Sequence, residues 1–149
     1  MDRLRGPVYL DTSALVKLYL PEARSEEVND ALVGRRDLMV SDLSITEVVS
    51  AVARRRREGQ MEEPVARRLY RRLLDDREAG YCLLLNASPR VHREAERLLL
   101  SLADVSLRAA DAIHLAMALL AEARSVATFD RRMSRAVESY GLAAFPADS

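Results

Sequence analysis

The stretch Val8-Tyr9-Leu10-Asp11-Thr12-Ser13-Ala14-Leu15-Val16 runs from a short apolar segment through a single acid into a helical pattern. Three apolar residues after Gly6-Pro7 read as a buried strand, and the segment that follows reads as a helix from Thr12 to Leu20, stopped by Pro21. The same grammar returns near the other end, where "SVAT" (Ser125 to Thr128) is followed by Phe129 and Asp130 and then by a helical segment from Arg131 to Tyr140. Both acids therefore fall at carboxyl ends of strands, the edge at which open α/β sheets place their ligands.

Working outward, "LMV" (Leu38 to Val40), "YCLLL" (Tyr81 to Leu85) and the weaker "LAAF" (Leu142 to Phe145) read as further strands. Between the strands, helices are expected over Glu22 to Val33, Ser44 to Glu58, Glu63 to Ala79, Pro89 to Leu102 and Leu107 to Ala123, several of them closed by a glycine. Strands alternating with helices favour a parallel sheet covered on both faces through right-handed crossovers. The expectation is a three-layer α/β/α domain with a central, mostly parallel sheet of four or five strands. Flexible points are expected at "RRDL" near Arg35, at "EGQMEE" near Gly59 and at the terminal "PADS".

At 149 residues and 49% hydrophobic content, the chain has the length of one domain, residues 1–149, able to bury a real core. Basic and acidic residues balance at 23 each, so net charge announces no nucleic-acid partner and any attraction must come from local patches. The single cysteine, Cys82, excludes an internal disulfide and suits a reducing cytoplasm. No run approaches the roughly 18 apolar residues of a spanning helix, so no membrane role is expected.

Two more acids lie among residues that should be buried: Glu47 in "SITEVVSAV" and Asp111 in "RAADAIHLAMALL". Each acid alone has an ordinary use. Asp11 and Asp130 can cap helices, Ser44 to Glu47 matches a capping box, and Asp111 suits the first turn of its helix. Together they ask for a shared explanation, because several carboxylates in one partly buried pocket repel unless protons are shared or a hard cation is bound. Oxygen donors without His or Cys select Mg2+ or Mn2+. Ser13 and Thr128, two residues from an acid each, offer hydroxyls to orient a ligand water or contact a phosphate, with capping and backbone bonding as the ordinary alternatives. His114, on the face of Asp111, is expected in a packing or supporting role, and His92 on the surface.

Taken in order, "VYLDTSALVKLYLPE", "SDLSITEVVSAVARRRREG", "LRAADAIHLAMAL" and "SVATFDRRMSRAVESYGL" resemble the PIN-domain family, and within it the VapC-type toxin ribonucleases of toxin-antitoxin pairs. The resemblance covers nearly the whole chain. It implies an α/β/α fold and an acidic pocket binding Mg2+ or Mn2+ that cleaves RNA. The pocket residues would be Asp11, Glu47, Asp111 and Asp130, with Ser13 and Thr128 in support. It also implies a VapB-like antitoxin partner, whose C-terminal segment fills an apolar groove and whose arginine can enter the pocket, and a homodimer. One departure is that some members carry a further acid one helical turn after the third, where this chain has Leu115.

Arg54 to Arg57, closing the helix of Glu47, and Arg67, Arg68, Arg71 and Arg72 on the next helix read as stripes that could draw in an RNA backbone, or as a solvated face balanced by nearby acids. Leu15, Val16, Leu18, Tyr19 and Leu20, with Val48, Val49 and Val52, exceed what one face of a short helix needs and suggest a groove or self-association surface. The competing readings are a phosphotransfer domain using Asp11, which would need a lysine where the chain has only Lys17, a housekeeping PIN nuclease, and a non-catalytic protein-binding module.

Overall fold

The computed structural model describes residues 4–147; Met1 to Arg3, and Asp148 and Ser149 of the expected "PADS" tail, lie outside it. Five strands, β1 (Val8–Leu10), β2 (Leu38–Ser41), β3 (Leu83–Leu85), β4 (Ser125–Ala127) and β5 (Ala143–Phe145), form one sheet in the order β3-β2-β1-β4-β5. Every pair is parallel, with Leu10 in register with Ala127 on one side and Tyr9 with Met39 on the other. Among the described residues the sheet is wholly parallel with five strands, in agreement with the expected α/β/α domain.

Seven helices cover it. α1 (Thr12–Tyr19), α2 (Ser25–Leu32), α3 (Asp42–Arg57) and α4 (Glu63–Ala79) pack on one face, and α5 (Pro89–Ser101), α6 (Ala109–Leu120) and α7 (Arg131–Ser139) on the other. Strand alternation distributes the side chains: Val8, Leu10, Leu38 and Val40 enter the core beneath α1 to α4, while Tyr9, Met39 and Val126 enter the core beneath α5 to α7. Burial on both faces is why these strands read as unbroken apolar runs rather than as an alternating pattern.

The chain leaves β1 toward β2 and β3 in one direction and reaches β4 and β5 in the other, so the topological switch lies between β1 and β4. In open sheets of this kind the crevice outside the strand ends at that point is where ligands sit. Asp11 closes it from one side, its N–H bonded to Ala127 O at 3.1 Å.

Several element bounds move from expectation for local reasons. The second helix begins at Ser25 rather than Glu22, because Pro21 is followed by a turn in which Arg24 is left-handed (φ 69°) and the Ser25 hydroxyl accepts the Glu22 N–H. β3 begins at Leu83, since left-handed Gly80 ends α4 and Tyr81 and Cys82 complete the bend. α3 starts at Asp42, two residues before Ser44, with Ser41 as its cap. The apolar residues suspected of forming a groove line two clefts that share Tyr19: Leu15 and Leu18 the one toward α2 and α4, and Val48, Val49 and Val52 the one between α3 and α4, with Leu15, Leu20, Val48 and Val52 also buried.

Candidate active site

Asp11, at the end of β1, is only 5% exposed. It caps α1: Oδ1 accepts the Ala14 N–H at 3.1 Å and the Ser13 hydroxyl at 2.6 Å. Burial raises its pKa, and the hydrogen bonds from Ser13 and Thr128 oppose that rise. Asp130, beyond β4, caps α7 through the same device, with Oδ1 accepting from Arg132 N at 2.8 Å and Met133 N at 3.0 Å. The caps expected of both acids are therefore present, and each uses one oxygen of its carboxylate.

Glu47 takes no part in the expected capping box, whose role falls to Ser41, bonded to the Ser44 N–H at 3.0 Å. One turn further along α3, Glu47 instead crosses to two other elements. Its Oε1 accepts the Thr12 hydroxyl at 2.7 Å and lies 2.7 Å from His114 Nε2. The His114 bond is the chief cause holding the Glu47 carboxyl below its ordinary pKa, with partial burial working against it. Asp111, in the first turn of α6, is half-buried; burial raises its pKa, and the charge of Asp130 raises it further, with a smaller push from Glu47. Asp111 is thus the member through which the other acids are felt, as expected of like charges at one sheet edge.

Ser13 and Thr128 both hydrogen-bond backbone at this edge. Ser13 Oγ also accepts the Phe129 N–H at 2.8 Å, and Thr128 Oγ1 accepts the Asp130 N–H at 3.2 Å. His114 is 3% exposed and lies between Tyr9 and Glu47. Thr12 and Tyr9 carry no motif of their own and escaped the sequence reading. Another acid, Asp42, stands at the end of β2, but its carboxylate accepts the Ala87 N–H and its own helix's Leu43 N–H, a structural use that ties the α3 start to the chain after β3. Leu115, one turn after Asp111 on α6, is fully buried in the apolar core beneath α5 to α7.

The donor set suits a hard divalent cation in kind: oxygen atoms only, with single oxygens of Asp11, Glu47 and Asp130 anchored so that each carboxylate has a second. Among the described residues, however, no three His, Cys, Asp or Glu side chains converge closely enough to enclose an ion. Their coupling is electrostatic in this conformation, and joint ligation requires side-chain rotation.

The arginine run at the end of α3 is split. Arg55 bonds Glu22 at 2.5 Å, next to the Lys17–Glu22 pair at 2.7 Å, and Arg56 bonds Glu63 at 3.1 Å, while Arg54 and Arg57 are exposed. Lys17 also lies 4.6 Å from the centre of the Phe129 ring, so the sole lysine is engaged at this edge rather than free beside Asp11. That removes the neutralising group a phosphotransfer domain would need. No helix among the described residues is long and apolar enough to cross a membrane.

Residues 8–138 match the PIN domain family. Among curated protein sequences nothing matches this chain significantly. Among solved structures, VapC20 of Mycobacterium tuberculosis, described as a sarcin-ricin loop cleaving toxin, superposes with a TM-score of 0.70 at 17% identity, over 87% of this chain and 94% of that one. FitAcB of Neisseria gonorrhoeae gives 0.68 at 21% identity over 93% and 96%. VapBC2 of Rickettsia felis, bound to a promoter DNA fragment, gives 0.60 at 12% identity over 92% and 96%. At these identities the likeness is one of fold.

Proposed function

Since the chain belongs to the PIN domain family, we propose that it is a metal-dependent endoribonuclease hydrolysing RNA phosphodiester bonds, and the toxin of a toxin-antitoxin pair. The observations that support the reading are a buried Asp11 closing β1 at the β1–β4 switch and, in the first turn of α6, an Asp111 whose carboxyl is raised by burial and then by the charges of Asp130 and Glu47. A carboxyl raised by burial and by neighbouring acids is a kind of group that gathers at functional sites.

Mg2+ or Mn2+, held by Asp11, Asp111 and Asp130 with Glu47 as ligand or water-positioning base, would make a water nucleophilic and offset phosphoryl charge. The chain's own residues prepare the edge. Ser13 and Thr128 oppose the rise that burial imposes on the Asp11 carboxyl, and the α7 N-terminus fixes Asp130. Glu47, kept below its ordinary pKa, is a carboxylate at neutral pH and can orient or deprotonate water. Attack on phosphorus in line with the leaving 3′ oxygen leaves a 5′-phosphate and a 3′-hydroxyl.

The antitoxin partner is supported by the complexes among the structural neighbours, FitAB bound to DNA and VapBC2 among them. A VapB-like segment would lie in the apolar clefts around Tyr19, and a homodimer and a cytoplasmic site of action complete the proposal. The readings as a housekeeping nuclease or a non-catalytic binding module predict, respectively, no toxicity and no cleavage. Purified protein incubated with mixed RNA and Mg2+ or Mn2+ should cleave it, EDTA should stop cleavage, and Asp111→Asn should abolish it. Equal cleavage by Asp111→Asn rejects the assignment.

A further inference from the structure

Among the residues at the acidic edge, His114 is left without a task by the reaction just described, yet its contacts are specific. Nδ1 lies 2.6 Å from the Tyr9 hydroxyl, and Nε2 lies 2.7 Å from Glu47 Oε1 and 3.3 Å from Thr12 Oγ1. A core histidine needs only to satisfy its two nitrogens, and a backbone carbonyl would do. Here the second nitrogen is spent on a carboxylate whose side chain is 34% exposed, at the mouth of the site.

The order of the chain can be read from its buried end. Tyr9 is fully buried, and burial pushes its phenol pKa up, so it keeps its proton. At the other end Glu47 Oε1, a carboxylate oxygen, can only accept, so the 2.7 Å contact takes a proton from Nε2, and Nδ1 is left to accept the phenol proton. A histidine that accepts at Nδ1 carries its proton on Nε2, directed at Glu47. Thr12 Oγ1 donates to the same Glu47 oxygen. Two donors therefore converge on Oε1, one from α1 and one from α6, and Oε2 makes no further hydrogen bond among the described residues.

We propose that His114 is a positioning residue for the hydrolysis: its Nε2–H, set by the Tyr9 hydroxyl, holds Glu47 by Oε1 and so presents Oε2 alone to the metal or the attacking water. The catalytic part rests on the nuclease reading above. Partners of this kind around a metal or catalytic carboxylate are worth about 10- to 100-fold in activity or metal affinity.

With only two histidines in the chain, and His92 exposed, the imidazoles can be followed individually by long-range 1H–15N correlation. His114 should carry a proton on Nε2, and its signals should move in Glu47→Gln and in Tyr9→Phe. In RNA cleavage, His114→Leu should lower kcat about 10- to 100-fold with KM nearly unchanged. His114→Gln, whose amide can donate from the Nε2 position, should recover most of that loss, and His92→Gln should match wild type. An Nε2 without a proton, or His114→Leu and His114→Gln that lose thermal stability but keep full kcat, would overturn the proposal. If His114→Leu does not fold, His114→Gln against Tyr9→Phe makes the same comparison. Wild-type protein that cleaves no RNA would overturn the nuclease reading and the catalytic role with it, while the NMR measurement judges the hold on Glu47 separately.

Discussion

The hydroxyl of Ser13 accepts the Phe129 N–H at 2.8 Å while donating to Asp11 Oδ1 at 2.6 Å, so one atom joins the chain leaving β4 to the carboxylate closing β1. Ser13→Ala strands a partly buried N–H and removes a donor from a buried charge. The expected loss is about 1 to 3 kcal/mol of stability, read by calorimetry as a lower Tm, with RNA cleavage reduced as well. An unchanged Tm would mean the bridge is replaced by water at no cost.

Asp111 should trade stability for activity. Its folded pKa lies above the ordinary value, so the ionised form is disfavoured in the fold, and the stability it contributes is lost as pH rises through that folded pKa. In EDTA, Asp111→Asn should therefore melt higher than wild type at about pH 8, with the gap closing as pH falls toward the ordinary carboxylate range near 3.8. Glu47 has the opposite sign: its stabilisation is present above the unfolded value and is lost as pH falls through its depressed folded pKa. Melting curves across pH for Asp111→Asn and Glu47→Gln separate the two, and parallel curves would refute the distinction.

Metal addition should relieve the same repulsion. At about 100 times its Kd, Mn2+ binding the folded chain should add about 2.7 kcal/mol, visible as a raised Tm. The double variant Asp11→Asn, Asp130→Asn should lose both this rise and most of the calorimetric heat. A full response from that variant would place the ion elsewhere.

The arginines of α3 should divide by partner. Arg54 and Arg57 are exposed, whereas Arg55 is tied to Glu22 and Arg56 to Glu63. Substituting Arg54 and Arg57 with Ser should weaken RNA binding and flatten its dependence on salt, by a slope of about one for each phosphate no longer neutralised. Arg55→Ser should act mainly on the packing of Glu22 and Lys17, with little change in the salt slope. Identical slopes for both variants would leave the run as a solvated face.

Leu115 is a test of the site's limits. Because its side chain is fully buried in apolar surroundings, Leu115→Asp should not add a ligand but should unfold the domain or shift the acid to its neutral form. Leu115→Met, close in volume, should cost less than about 1.5 kcal/mol. A folded, more active Leu115→Asp protein would show that this part of the core can admit a further carboxylate to the site.

Much of the fold was legible because it rests on local patterns. Apolar runs at Val8 to Leu10 and Ser125 to Thr128 mark strands buried on both faces, and glycines at Gly80 and Gly141 close helices in left-handed conformations. The acids at the ends of β1 and β4 could be placed on one edge by topology alone. What escaped was whatever depends on pairing across the chain. Glu47 meets Thr12 across 35 residues and His114 across 67, and no periodicity signals either bond. The misplaced capping box has a local cause: Ser41 and Ser44 both offer a hydroxyl ahead of the apolar run, and the earlier one wins because it ends β2 in extended backbone, as a cap requires.

The sheet's two rims carry a last consequence. β3 and β5 are three residues long apiece, and each has only one neighbour. So short a rim offers an incoming extended peptide too few main-chain rungs to grip, one of the ways natural proteins discourage unwanted zippering. The helical faces, rather than the sheet's rims, are the broad surfaces of the described residues.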